Sequence, residues 1–190
     1  MPGLFWKLYW KLSGWKIVGQ FPYHHKKMVM IAAPHTHWHD LILGFSGRNE
    51  LNIQHAKFLG KKELFVGPLG WFLRKMGGTS IDRSGKLGKV EQVASLFESH
   101  ETFLLGMAPE GTRKRVDKFR TGFYHIAKQA KVPILPIGFD YEHKHLVMGV
   151  PFFTSDDEAA DMKKLIRFFS AFKGKKPDFD LRHLYDAANN

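Results

Sequence analysis

The sequence predicts an α/β domain whose sheet is covered by helices on both faces. Three observations carry this. First, short apolar runs such as "KMVMIAAPH", "TFLLGMAPEG" and "VPILPIGFDY" have the length of buried strands and are closed or bracketed by proline. Second, the segments between them show helical apolar spacing, as in Leu87, Val90, Val93, Ala94 and Leu96. Third, 190 residues at 44% hydrophobic content suit one domain with a sizeable core. Strands alternating with helices pack as a sheet between helical layers.

The elements follow in order. The N-terminus, "MPGLFWKLYWKLSGWKIVG", is dense in Leu4, Phe5, Trp6, Leu8, Tyr9, Trp10, Leu12 and Trp15, interleaved with Lys7, Lys11 and Lys16. Read as a helix, it is amphipathic, with aromatic rings suited to the headgroup level of a bilayer and lysines able to reach phosphates. Packing on the domain's own core is the alternative. Residues 1–20 are therefore expected to form a membrane-surface segment and residues 21–190 the folded domain. A strand over 27–35 closes at Pro34, and "HWHDLILGFSGR" begins a helix. "ELNIQHAKFL" reads as a strand leading into a loop. "KKELFVGPLGWFLRKMG" reads as a helix broken at Gly67-Pro68, and "GGTSIDRS" as a short strand and turn. A helix over 87–99, a strand ending at Pro109, a helix over 120–131, a strand over 132–141 and a strand over 145–152 follow. Ser155 and Glu158 form a Ser-x-x-Glu capping signature before a last helix through Phe172.

The net charge of +11 and a pI of about 9.8 favour anionic partners: a nucleic acid, an anionic bilayer, or phosphorylated or acidic small molecules. The absence of cysteine excludes disulfides, thiolate nucleophiles and Cys-type zinc sites, and fits a reducing compartment. No apolar run approaches the roughly 20 residues that span a bilayer.

The segment "APHTHWHDLILG" alternates His35, His37 and His39 and follows them with Asp40. As metal ligands these histidines form an incomplete set, because the acid comes after the last histidine and no comparable cluster lies downstream. As His35-x4-Asp40, the segment places a base at a strand end and an acid on the first helical turn. The acid can then fix the imidazole tautomer. A surface hydrogen bond is the plain alternative for such a pair. Other polar groups gather at strand ends as well: Arg83 after "GGTSIDR", and Glu110, Gly111, Thr112 and Arg113 in "APEGTR".

Taken together, and in this order, these segments resemble the motif blocks of the glycerolipid acyltransferases, the lysophosphatidic acid acyltransferase (PlsC-like) family. His35 to Asp40 matches the first block, Gly78 to Arg83 the second, residues 109–113 the third and residues 132–138 the fourth. "GKKELF", residues 60–65, is similar to a further family segment. Pro34 stands where the family often has Asn, and Ala108-Pro109 where it often has Phe-Pro. The chain is short for the family, so a longer N-terminal membrane element is expected to be absent.

The resemblance implies a mixed, largely parallel central sheet covered by helices. It also implies transfer of a fatty acyl group from acyl carrier protein or coenzyme A thioester to the hydroxyl of a lysolipid, with 1-acylglycerol-3-phosphate giving phosphatidic acid. His35 would be the general base and Asp40 its orienter. Lys61, Arg83 and Arg113 would hold the acceptor phosphate. Glu110, Gly111 and Thr112 would line the glycerol and reacting carbonyl, with a backbone N–H there as a candidate oxyanion donor. No metal and no cofactor is expected beyond the thioester co-substrate. His37 and His39 fill variable positions. The expected partners are the lysolipid, the thioester donor and an anionic membrane surface, not nucleic acid. The expected location is the cytoplasmic face of the cell membrane, peripheral or monotopic. Two rivals stand beside this: a non-catalytic basic module binding membrane or nucleic acid, and a zinc hydrolase using the histidine cluster. No RNA-recognition or helix-turn-helix signature supports the first.

Overall fold

The computed structural model describes residues 2–61, 65–81 and 88–189. The chain runs α1 (Pro2–Ser13), β1 (Lys16–Val18), β2 (Lys27–Ala33), α2 (His39–Glu50), β3 (Lys57–Lys61), α3 (Gly67–Lys75), β4 (Gly78–Ile81), α4 (Lys89–Ser99), β5 (Phe103–Met107), α5 (Gly122–Ala130), β6 (Ile134–Asp140), β7 (His145–Met148), α6 (Glu158–Phe169) and α7 (Arg182–Asn189).

Seven strands form a sheet in the order β1-β7-β6-β2-β5-β3-β4. Every neighbouring pair is parallel except β6 and β7, which are antiparallel. The sheet is thus mixed and largely parallel. β6 is buried along its whole length, as a strand covered on both faces must be.

Alternation along β2 sends side chains to two cores. Val29 and Ile31 join Phe97 of α4, Phe123 of α5, Leu165 and Phe169 of α6 and Leu184 of α7. Met28 and Met30 join Leu43 of α2 and Trp10 of α1 on the other face. α1 lies on α2, with the Trp6 and Phe45 rings 5.7 Å apart. The buried face of α1 is the one carrying Trp10, while Leu4, Phe5, Leu8 and Leu12 remain exposed.

Several boundaries differ from the sequence expectation. The alternation of Leu51 and Ile53 reads as a strand, but α2 runs to Glu50 and a turn follows it. Leu51 and Ile53 pack into the second core from that turn, and β3 starts only at Lys57. Gly67-Pro68 does not break a helix but begins α3, because proline's missing N–H costs nothing in a first turn. The cap of α6 is Asp157, whose Oδ1 accepts the Ala160 N–H at 2.9 Å. Ser155 instead donates to the buried Asp161 Oδ2 at 2.9 Å. The short β1 and the polar α7 were not anticipated; α7 is held by Leu184 in the first core.

Candidate active site

Parallel pairing of β2, β3, β4, β5 and β6 brings their C-terminal ends to one edge of the sheet. His35 follows β2, Glu110 to Arg113 follow β5, Lys61 ends β3, and Tyr141 follows β6. Loops at such an edge are where side chains from distant segments converge.

Asp40 sits in the first turn of α2 and is buried. Its Oδ2 lies 3.3 Å from His35 Nδ1 and accepts the His37 N–H at 2.7 Å. Its Oδ1 accepts the Tyr141 hydroxyl at 2.5 Å. Burial pushes the carboxyl up, but the hydrogen bonds from His35, Tyr141 and the His37 N–H outweigh it and hold Asp40 below its ordinary value. Asp40 is therefore a carboxylate at neutral pH, with one oxygen turned to the imidazole.

The other imidazole nitrogen, Nε2, accepts a hydrogen bond from Arg113 Nε–H at 3.3 Å. With Nε2 an acceptor, the imidazole proton belongs on Nδ1, facing Asp40. This is the tautomer a general base needs.

Glu110 reaches the same loop from the other side. Its Oε1 accepts the His35 backbone N–H at 2.6 Å, while Oε2 is buried with no hydrogen-bond partner among the described residues. Burial outweighs that bond and pushes the carboxyl up to about 7. Glu110 therefore grips the backbone of His35, where the sequence reading had it lining the glycerol.

Gly111 occupies the left-handed region at φ 64°, and a Cβ there would lie 2.6 Å from Arg120 Cδ. Its N–H donates to Ala108 O at 3.1 Å and closes the turn. Thr112 Oγ1 accepts the Lys114 N–H at 3.3 Å. Lys61 lies on the converging edge, its side chain outside the described residues, and Arg83 lies outside them altogether.

The loop has a further support. Thr36 is buried, and its Oγ1 accepts the Lys176 N–H at 3.1 Å. Gly174 packs so closely there that a Cβ would meet Thr36 Cγ2 at 2.7 Å. Sequence reading missed Thr36, Tyr141 and the segment around Lys176. Tyr141 alone carried a signal, because it directly follows a buried strand.

The histidines do not converge on a common point. His35 turns to Asp40 and Arg113, His37 Nδ1 accepts the His39 N–H at 3.1 Å, and His39 bonds two tyrosines. Among the described residues, the group of three close enough to share a metal ion is Asp140, Glu142 and His143, at the end of β6.

The Acyltransferase family model matches residues 15–140, about two thirds of the chain, and that stretch contains every site residue expected from the sequence. The chain belongs to the acyltransferase family. The acyltransferase chain is 30% identical over 130 residues to the 1-acyl-sn-glycerol-3-phosphate acyltransferase of Saccharomyces cerevisiae, covering 64% of this chain and 41% of that protein. It is 36% identical over 89 residues to the Escherichia coli protein of the same name, covering 42% and 35%. It thus spans about two fifths of the length of these curated relatives. The acyltransferase fold agrees with the crystal structure of the 1-acyl-sn-glycerophosphate acyltransferase PlsC of Thermotoga maritima. The TM-score is 0.59 at 17% identity, over 99% of this chain and 78% of that one.

Proposed function

We propose that the chain transfers a fatty acyl group from an acyl thioester, carried by acyl carrier protein or coenzyme A, to the free hydroxyl of a lysolipid. The acceptor read from the relatives' names is 1-acylglycerol-3-phosphate, with phosphatidic acid as product. The observation that carries this reading is the His35–Asp40 pair at the converging strand edge. Its Nδ1 faces a buried carboxylate and its Nε2 faces outward toward Arg113.

The chemistry follows from those atoms. His35 Nε2 removes the acceptor hydroxyl proton as the oxygen attacks the thioester carbonyl. Asp40 stabilises the imidazolium that forms. The tetrahedral intermediate collapses, the C–S bond breaks, and the imidazolium returns its proton to the leaving thiolate. An ester and a free thiol result. General base catalysis of this kind supplies about 10²–10⁴-fold. Arg113 adds a coupling, because its guanidinium caps the Nε2 lone pair. A phosphate on the acceptor competes for that guanidinium and draws it off, freeing the base when the anionic substrate is seated. Arg83 and Lys61 are read as further phosphate holders.

The surface supports a bilayer-lying enzyme. The steps from β2 to β3 and from β3 to β4 run the same way across the sheet, so right-handed connections put α2 and α3 on one face, the face that α1 also covers. Arg48 of α2 donates to Met76 O at the end of α3, as that placement requires. On this face α1 exposes Leu4, Phe5, Leu8 and Leu12, and the α3 region exposes Val66, Leu69, Trp71 and Phe72. Lys7, Lys11 and Lys75 are interleaved with them. Among the described residues no helix is long and apolar enough to cross a membrane. Peripheral or monotopic attachment to an anionic surface, at the cytoplasmic face where acyl thioesters are supplied, fits these features.

The test is an acyl-transfer assay of the wild-type chain and His35→Ala over a panel of lysolipids, each with both donors. Transfer that depends on His35 is expected. Absence of transfer to every lysolipid from either donor, or transfer unchanged in His35→Ala, would refute the reading.

A further inference from the structure

The carboxylate of Asp40 is held by more than the loop that carries it. Oδ2 receives the His37 N–H and faces His35, while Oδ1 receives the Tyr141 hydroxyl. Tyr141 Oη also lies 3.1 Å from His39 Nδ1. His39 Nε2 in turn lies 2.7 Å from the hydroxyl of Tyr9 on α1.

The direction of every bond in this chain can be deduced. A tyrosine hydroxyl has one proton, and at 2.5 Å from a carboxylate that proton belongs to Asp40. Tyr141 Oη must then accept from His39, which puts the imidazole proton on Nδ1. Nε2 becomes an acceptor, and the Tyr9 hydroxyl donates to it. The environment agrees with a neutral His39: desolvation and the nearby Lys175 hold its pKa below the ordinary value. Burial and the bond to Asp40 raise that of Tyr141, so its hydroxyl stays protonated. The Tyr141 ring is fixed by Trp15 packed edge-on at 5.0 Å and by Lys175 Nζ at 5.8 Å from its centroid.

We infer that Tyr141 is a positioning residue for the His35–Asp40 pair, and that Tyr9 and His39 aim its hydroxyl, so that helix α1 is part of the architecture of the site. With Oδ1 held by Tyr141, the carboxylate cannot rotate and Oδ2 stays facing His35. The polar series runs Tyr9 O–H to His39 Nε2, His39 Nδ1–H to Tyr141 Oη, and Tyr141 O–H to Asp40 Oδ1. It joins three segments: α1, the first turn of α2 and the residue after β6. Aligned hydrogen bonds of this kind polarise one another. Other ionisable groups bearing on it are Glu110, which faces His35, and Lys175 beside His39. The kinetic consequence rests on the acyl-transfer reading, but the network does not.

Two measurements on the full chain test it. The first is ¹⁵N NMR of the imidazoles together with ¹³C NMR of the Asp40 carboxyl. His39 is expected to be neutral with its proton on Nδ1. Because Tyr141 helps hold the Asp40 pKa down, Tyr141→Phe should make that carboxyl titrate at higher pH. A His39 proton on Nε2, or an Asp40 titration unmoved in Tyr141→Phe, overturns the inference whether or not the protein transfers acyl groups. The second is kinetic. Tyr141→Phe keeps the ring against Trp15 and loses the hydroxyl, so kcat should fall about 10- to 100-fold with little change in KM. Tyr9→Phe should show the same pattern with a smaller loss. An active wild type with unchanged kcat in Tyr141→Phe overturns the positioning role and leaves the acyltransferase reading intact. An inactive wild type with the expected tautomer and titration overturns the acyltransferase reading and leaves the network standing.

Discussion

Replacing Glu110 by Gln should make the protein relatively more stable as the solution becomes alkaline. Glu110 is 3% exposed, and burial pushes its carboxyl from 4.5 up to about 7. The sign follows from where the proton sits. Between those two values the folded protein keeps a proton that the unfolded chain has released. Stability from this group is full below pH 4.5 and is lost as pH rises through about 7. Across that window the linkage amounts to about 3 kcal/mol. Gln cannot ionise and carries no such dependence. Its carbonyl oxygen can still accept the His35 N–H, while its amide takes the place of Oε2, which has no hydrogen-bond partner among the described residues. The absolute stability of the variant therefore depends on that amide. The gap between variant and wild type does not, and it should shift by about 3 kcal/mol in the variant's favour between pH 4.5 and pH 8. Urea unfolding of both proteins at intervals across that range measures it. In thermal melts the same shift is roughly 6–12 °C for a domain of this size. A gap constant with pH, or one that moves the opposite way, would show that Glu110 does not carry its charge into a dry site.

Three further outcomes are expected. Asp40→Asn should cost about 10²–10⁴-fold in kcat, because an amide facing His35 Nδ1 no longer fixes the basic tautomer; a loss under tenfold would remove Asp40 from the mechanism. Arg113→Ala should lose about 1.5–3 kcal/mol of transition-state stabilisation on a phosphorylated lysolipid and much less on a monoacylglycerol, and equal loss on both would assign the arginine elsewhere. Exchanging Leu4, Leu8 and Leu12 for Ser should weaken binding to anionic vesicles at nearly unchanged melting temperature, since Leu4 and Leu12 are 74% and 76% exposed; unchanged vesicle binding would clear α1 of the bilayer role.

What could be read from the sequence was what is written locally. The β6 run is apolar from Ile134 to Phe139, preceded by Pro133 and carrying Pro136 within it, so its burial was visible without any knowledge of its neighbours. His35 and Asp40 lie five residues apart along the chain, and their meeting needed only a strand end and a helix start. Residues 50–56 misled because an apolar alternation looks alike in a strand and in a turn pressed onto a core. Asp157 and Ser155 both make good caps, and only the buried Asp161, which takes up the Ser155 hydroxyl, decided between them. Tyr141 and Glu110 were beyond reach as supports of the dyad, because each acts through a contact fixed by sheet order. The same order turned His39, outwardly a spare histidine beside the base, into the partner of a tyrosine on α1.

The supports of the residue 35–40 loop come from far along the chain. Glu110 binds it across 75 residues, Tyr141 across 101 and the Lys176 N–H across 140. The ribosome releases these in that order, so a nascent chain carries His35 and Asp40 before the groups that shape them. Competence arrives late, when the segment bearing Gly174 docks beneath Thr36. Until then an emerging polypeptide carries the histidine and the aspartate with no organised centre around them.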